Sequence, residues 1–266
     1  MSRKLISRLL VGAGLLAAIS VIVLLGSRAT VAALAALWSM LATLEFTALL
    51  ARAEIRLNRL LLCTLNAATI GAAYLNWLPG FIIAPLALTF IAGIARPTPL
   101  PRIPVYGSFT VIYLGFLPAH LVMLRNAADS MTPWLVFFPL VLTWTNDTAA
   151  YAFGKLLGRH RLAPQISPKK TVEGLIAGLV ASALLAALWL SRLEPFSSRS
   201  VWWLAAVGMG LGALAHAGDL FESVFKRAVG IKDTSTIFGE HGGFLDRADS
   251  LLFVIPAFYY LLLAFR

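Results

Sequence analysis

Four stretches of this sequence carry acids, bases and hydroxyls at spacings that suit phosphate chemistry. One reads Asp219-Leu-Phe-Glu222-Ser223-Val-Phe-Lys226-Arg227. As a helix it puts Asp219, Glu222, Ser223 and Lys226 on one face, because residues three and four apart are neighbours there. Carboxylate and hydroxyl oxygens suit a hard cation such as Mg2+, and the adjacent Lys226 and Arg227 suit phosphate oxygens. The competing reading is an ordinary charged helix end. The second stretch is His241-Gly242-Gly243-Phe-Leu-Asp246-Arg247-Ala248-Asp249. Asp246 and Asp249 stand three apart and can face one point. A helix N-terminus favours one negative charge by about 0.3–1 kcal/mol, which would explain either carboxylate alone. It does not explain two of them beside His241 and a Gly242-Gly243 pair, where the backbone can approach a ligand closely. The third stretch, Ser167-Pro168-Lys169-Lys170-Thr171-Val172-Glu173-Gly174, offers two lysines and hydroxyls to a phosphate, or simply a basic anchor at a membrane surface. The fourth sets Asn146-Asp147, then Tyr151 and Gly154-Lys155, inside an apolar run. A charged Asp at mid-bilayer costs roughly 2.5–3.5 kcal/mol, so Asp147 is a functional candidate. Glu45 lies deeper in another apolar run and stays unassigned. His120 and His216 read as packed or hydrogen-bonded within helices.

The elements that must hold these residues are membrane-spanning. The 266 residues are 59% hydrophobic and 13% charged, against roughly 25% charged in a soluble domain. The mean hydropathy is +0.84. A net charge of +10 would suggest nucleic acid for a soluble chain, but membrane proteins collect Lys and Arg on cytoplasmic loops, and no nucleic-acid partner is expected. The single cysteine, Cys63, leaves no disulfide framework and no Cys-based zinc site within the chain. A spanning helix needs about 20 mainly apolar residues. Candidates fall near 9–26, 30–51, 60–77, 80–95, 106–124, 133–153, 172–191, 201–221 and 250–265. The first, though preceded by Arg3, Lys4 and Arg8, reads as a retained span rather than a cleaved signal. No linker or repeat is visible. The expectation is an all-α, polytopic integral membrane protein of about nine transmembrane helices. It forms one domain over 1–266, with N-terminal spans over 1–144 and the chemistry-bearing half over 145–266.

Orientation follows from the basic residues. With the N-terminus inside, the inner segments hold 17 of the 22 Lys and Arg. The outer ones hold Arg28, Arg125, Arg192, Arg199 and Arg266. That bias predicts a cytoplasmic N-terminus and an outer C-terminus. Residues 145–174 and 219–249 carry half of all charged side chains in under a quarter of the chain. Both fall on the inner side.

At this point a resemblance becomes specific. Ser223-Val-Phe-Lys226-Arg227, then Lys232-Asp233, then His241-Gly242-Gly243-Phe-Leu-Asp246-Arg247-Ala248-Asp249 resembles the signature of the phosphatidate cytidylyltransferase (CDP-diacylglycerol synthase) family. Gly218-Asp219-Leu-Phe-Glu222-Ser223, Asp147-Thr-Ala-Ala-Tyr151-Ala-Phe-Gly154-Lys155 and Ser167-Pro-Lys-Lys-Thr-Val-Glu-Gly174 are similar to the same family. The likeness covers about 145–250. It departs at Gly239-Glu240, where the family often has Pro-Gly, and at Ala248, where it has a bulky aliphatic residue. The resemblance implies transfer of CMP from CTP to phosphatidic acid, with Mg2+, and a second cation left open. It implies Asp219, Asp246 and Asp249 as metal ligands and a catalytic set that adds Lys226, Arg247 and His241. Substrate contacts would come from Asp147, Lys169, Lys170, Ser223, Arg227, Lys232, Asp233, Gly242 and Gly243. The expected location is a bacterial inner membrane with the site at its cytoplasmic face, among membrane lipid. A homodimer stays open. The alternatives are CTP-dependent transfer to an archaeol or polyprenyl phosphate, and an ion-coupled transporter, whose charge would spread through the bilayer depth.

Overall fold

The computed structural model describes residues 14, 16–95, 102–128, 131–231, 234–235 and 243–265. Helices dominate. In chain order they are α1 (Leu16–Leu25), α2 (Arg28–Arg52), α3 (Arg59–Tyr74), α4 (Leu78–Phe81), α5 (Ile83–Ala95), α6 (Arg102–Val111), α7 (Leu117–Ala127), α8 (Pro133–Leu157), α9 (Val172–Leu190), α10 (Val201–Ala228) and α11 (Leu251–Phe265). A π-helical turn, Ile112–Phe116, joins α6 to α7, so 102–127 runs as one rod. Each of the nine apolar runs meets helix where it is described. By length and hydropathy, four helices among the described residues are able to cross a membrane: Arg28–Arg52, Arg102–Ala127, Val172–Leu190 and Val201–Ala228.

Local chemistry sets the helix starts. Ser27, Asn58, Thr132, Thr171 and Ser200 each accept a hydrogen bond from a first-turn N–H at the head of α2, α3, α8, α9 and α10. Such caps satisfy donors that a helix leaves orphaned. Polar side chains then tie the helices together inside an apolar solvent. Pro118 has no N–H for the Leu114 carbonyl, and that oxygen takes the Ser39 hydroxyl of α2. Asn66 of α3 donates to Thr43 of α2 at 2.8 Å. Where α8, α9 and α10 pack, small residues let backbones approach, as membrane helices require. A Cβ on Gly208 of α10 would stand 2.3 Å from the Ser182 carbonyl of α9.

The two larger of four apolar clusters among the described residues matter for the site. Phe138, Leu142, Ala186, Leu190, Leu211 and Phe258 lie in one, joining α8 to α11. Phe46, Leu49, Tyr113, Leu114, Leu245 and Leu252 lie in the other, between α2, the π turn and the start of α11.

One element was not anticipated by the all-α expectation. Between α8 and α9 the chain forms an antiparallel hairpin, β1 (Arg161–Ala163) with β2 (Ser167–Thr171), paired Arg161 to Thr171 and Ala163 to Ser167. The strands are three and five residues long, too short for an alternating apolar pattern to announce them. The hairpin delivers Lys169 and Lys170 to the mouth of α9.

Candidate active site

The C-terminal ends of α8 and α10, the hairpin, the head of α9 and the turn before α11 converge. Gly154 of α8 faces Gly174 of α9, where a Cβ on Gly174 would meet the Ala150 carbonyl at 2.6 Å. Gly218 of α10 lies against the chain before α11, and its Cβ would stand 2.6 Å from the Asp249 carbonyl. These approaches bring Asp147, Lys170, Asp219 and Asp249 into one neighbourhood. Lys170 Nζ pairs with Asp219 Oδ2 at 2.8 Å. Ser223 Oγ donates to Asp219 Oδ1 at 3.4 Å. The Asp249 carboxyl is pushed up by burial and then by the Asp219 charge, with Asp147 adding to it. Three carboxylates therefore act on one another with a lysine among them.

Asp246 belongs to a different arrangement. It sits on a short 3-10 turn, Leu245–Arg247. Its Oδ1 accepts from Lys226 Nζ at 2.7 Å, and its Oδ2 accepts from Thr234 N–H at 2.9 Å, Thr234 Oγ1 at 2.7 Å and Gly243 N–H at 2.7 Å. Burial pushes the Asp246 carboxyl up, but the Lys226 ammonium and these donors outweigh it and hold it well below the usual carboxylate range. Lys226 also pairs with the buried Glu222 at 3.0 Å. Lys226 is thus a buried cation shared by two carboxylates rather than an open phosphate ligand.

Sequence reasoning left Glu45 without a role. In the structure it is an anchor point of this region. Glu45 Oε1 accepts from Ser235 Oγ at 2.6 Å and Phe244 N–H at 3.1 Å. Its Oε2 accepts from Leu245 N–H at 2.9 Å and Thr234 Oγ1 at 3.2 Å. Gly243 is confined here: a Cβ on it would stand 2.4 Å from both Glu45 oxygens and 2.5 Å from Thr234 Oγ1. A charged residue in an apolar run was the signal that could have marked Glu45. Nothing in the spacing pointed to its partners. Tyr113, on the π turn, was also missed. It is 2% exposed, and its hydroxyl has no hydrogen-bond partner among the described residues.

The remaining expected site residues divide. Lys169, Arg227 and Arg247 are exposed. Arg227 donates from Nε to the Ile166 carbonyl at 3.0 Å, fastening the hairpin to α10. Lys232, Asp233, His241 and Gly242 lie outside the described residues, as do Gly239 and Glu240.

The donor set accommodates a divalent cation in part. Among the described residues no three His, Cys, Asp or Glu side chains gather closely enough to hold a metal by themselves. The structure does not assemble Asp219, Asp246 and Asp249 as one cluster, because both oxygens of Asp246 already take protein donors. Asp219 with Asp249 is the pair left. Mg2+ is commonly held by one or two carboxylates, with water and substrate phosphates completing its shell, and two adjacent carboxylates meet that need.

Comparison with known proteins gives this geometry a context. A model of the cytidylyltransferase family matches residues 6–265. A phosphatidate cytidylyltransferase from Aquifex aeolicus is 43% identical over 157 residues, 59% of this chain and 58% of that protein. Those of Staphylococcus haemolyticus and Staphylococcus aureus are 41% and 42% identical over 128 residues, 48% of each chain. The matched part spans about half the length of these relatives. With nearly its whole length matched, the chain belongs to the cytidylyltransferase family.

Proposed function

We propose that this protein transfers the cytidylyl group of CTP to phosphatidic acid, giving CDP-diacylglycerol and pyrophosphate in phospholipid synthesis. The observation that carries the reading is the meeting of Asp147, Lys170, Asp219 and Asp249 at one end of the helices, in a chain of this family. Acids beside a lysine are what joining two polyanions demands. A phosphatidate oxygen, already anionic, bonds to the α-phosphorus of CTP, the α–β anhydride bond breaks, and pyrophosphate leaves with that electron pair. Little general-base help is needed, so positioning and electrostatics dominate.

The residues divide the work. Asp219 and Asp249 would hold a Mg2+ ion, and Asp147 acts on them from α8. A divalent ion held there would offset the charge growing on the leaving group. Lys170, with Lys169 and Arg247 beside the site, draws phosphate oxygens. Lys226, Asp246 and Glu222 hold the end of α10 against the turn before α11. The same reading sets nine spans with the N-terminus inside, the site at the cytoplasmic face of a bacterial inner membrane, and the lipid arriving sideways from that leaflet.

The test is purified protein in detergent with CTP and phosphatidate. CDP-diacylglycerol should form with Mg2+ and not without it. Product from an archaeol or polyprenyl phosphate but none from phosphatidate would reassign the lipid. No nucleotidyl transfer to any lipid phosphate would sink the proposal.

A further inference from the structure

Glu45 lies in α2, almost 200 residues before the segment it holds, and is 6% exposed. A carboxylate inside an apolar helix is costly unless its oxygens are satisfied, and here three donors satisfy them, together with a share of the Thr234 hydroxyl hydrogen that also goes to Asp246. Those donors have a pattern. Thr234 and Ser235 lie on one flank of a segment, and Phe244 and Leu245 lie on the other. One carboxylate therefore staples both flanks. Trp38, two turns before Glu45 on the same face of α2, donates from Nε1 to the Phe244 carbonyl at 2.9 Å. Gly243 fits between Glu45 and Asp246 only because it lacks a Cβ. The chain of contacts runs from Glu45 through Thr234 to Asp246 and on to Lys226.

We propose that Glu45 is a positioning residue for nucleotide binding: from the N-terminal half, it holds Thr234 and Ser235 on one side and Phe244 and Leu245 on the other, beside the Asp246–Lys226 pair that fixes the end of α10 carrying Asp219. It touches no substrate. Its effect passes through the backbone N–H groups of Phe244 and Leu245 and through Thr234. The nucleotide part of this inference rests on the function proposed above, whereas the staple itself stands on geometry.

Glu45→Gln tests it at constant volume. Gln presents one acceptor oxygen, while the Phe244 and Leu245 N–H groups sit on different oxygens of Glu45. One of them must lose its acceptor and face an amide NH2 instead. Losing a hydrogen bond to a charged group corresponds to about a 10–100-fold change in the equilibrium it supports. Hydrogen exchange at the Phe244 and Leu245 amides should quicken by that order, and the KM for CTP should rise about tenfold or more. The KM for phosphatidate should change less than about twofold, which a general loss of structure would not spare. Thr234→Val and Ser235→Ala, which leave Glu45 charged, should move the same two readouts in the same direction. They decide the matter if Glu45→Gln does not fold. Unchanged amide exchange in all three variants overturns the staple. Faster exchange with an unchanged KM for CTP overturns the nucleotide role. A wild type that binds no CTP in calorimetry refutes the proposed function, and the nucleotide role with it, while the exchange result still decides the staple.

Discussion

Replacing Lys226 by Met tests whether this lysine holds the fold or grips a phosphate. Its ammonium stands 2.7 Å from Asp246 Oδ1 and 3.0 Å from Glu222 Oε1. The three side chains are 10%, 7% and 1% exposed for Lys226, Asp246 and Glu222. Met keeps the length and loses the charge, leaving two carboxylates facing each other with little water. Removing one partner of a buried ion pair costs about 3–5 kcal/mol. At about 2–4 °C per kcal/mol for a chain of roughly this size, the midpoint should fall by about 6–20 °C. The assay is loss of the monodisperse peak after heating in detergent. The triple variant Lys226→Met, Glu222→Gln, Asp246→Asn removes all three charges at nearly constant volume. It should recover a large part of the loss, because the penalty comes from stranded charge rather than lost packing. A single variant within about 2 °C of wild type would refute the reasoning. Were it also inactive, Lys226 would be a phosphate ligand after all.

The acids should sort by behaviour. Asp219→Asn and Asp249→Asn should each nearly abolish Mg2+-dependent turnover and leave the unfolding midpoint close to wild type, whereas Asp246→Asn should lower both activity and midpoint. Equal midpoints in all three would contradict the separate role given to Asp246. Gly243→Ala forces a Cβ to within 2.4 Å of both Glu45 oxygens. Since carboxylate and backbone must part, turnover should drop at least about 100-fold, two hydrogen bonds to a charged group being disturbed; near-normal CTP turnover would count against the close approach. Chelation by EDTA should stop product formation, and added Mg2+ should restore it; activity surviving exhaustive chelation would remove the metal from the reading.

Much of the architecture was legible because the bilayer imposes a simple rule. Apolar runs of about 20 residues become helices when no water can satisfy the backbone, and all nine runs meet helix where they are described. The hairpin over 161–171 was not legible, since three- and five-residue strands carry no period. The spacing of Asp219 to Asp249 marked out the charged residues but could not sort them. Asp246 and Asp249, three apart, were expected to face one point. The 3-10 turn at Leu245–Arg247 sends Asp246 toward Lys226 and Thr234 instead. Glu45 was visible as an oddity and unreadable as a function, because its partners lie almost 200 residues away. Spacing reports neighbours along one helix. It is silent on contacts made by folding.

What separates the acids of this region is how their oxygens are spent. Glu45 and Asp246 give both oxygens to hydroxyls, backbone N–H groups and a lysine. A carboxylate so enclosed is stable and has little left for a ligand. Asp219 is held by Lys170 at 2.8 Å and by Ser223 at a long 3.4 Å, and Asp147 and Asp249 add their negative charge nearby. Three carboxylates around one lysine leave an excess of negative charge. Such an excess is unfavourable in a low dielectric, so it draws either protons or a cation. A divalent cation held by Asp219 and Asp249, as proposed above, would offset that excess and let nucleotide phosphates enter an acidic site without repulsion. Lys170 would be free to turn from Asp219 to a phosphate once the ion takes its place. Under the proposed function, the acids nearest the substrates are the least satisfied ones, and the well-bonded Asp246 and Glu45 keep them in position.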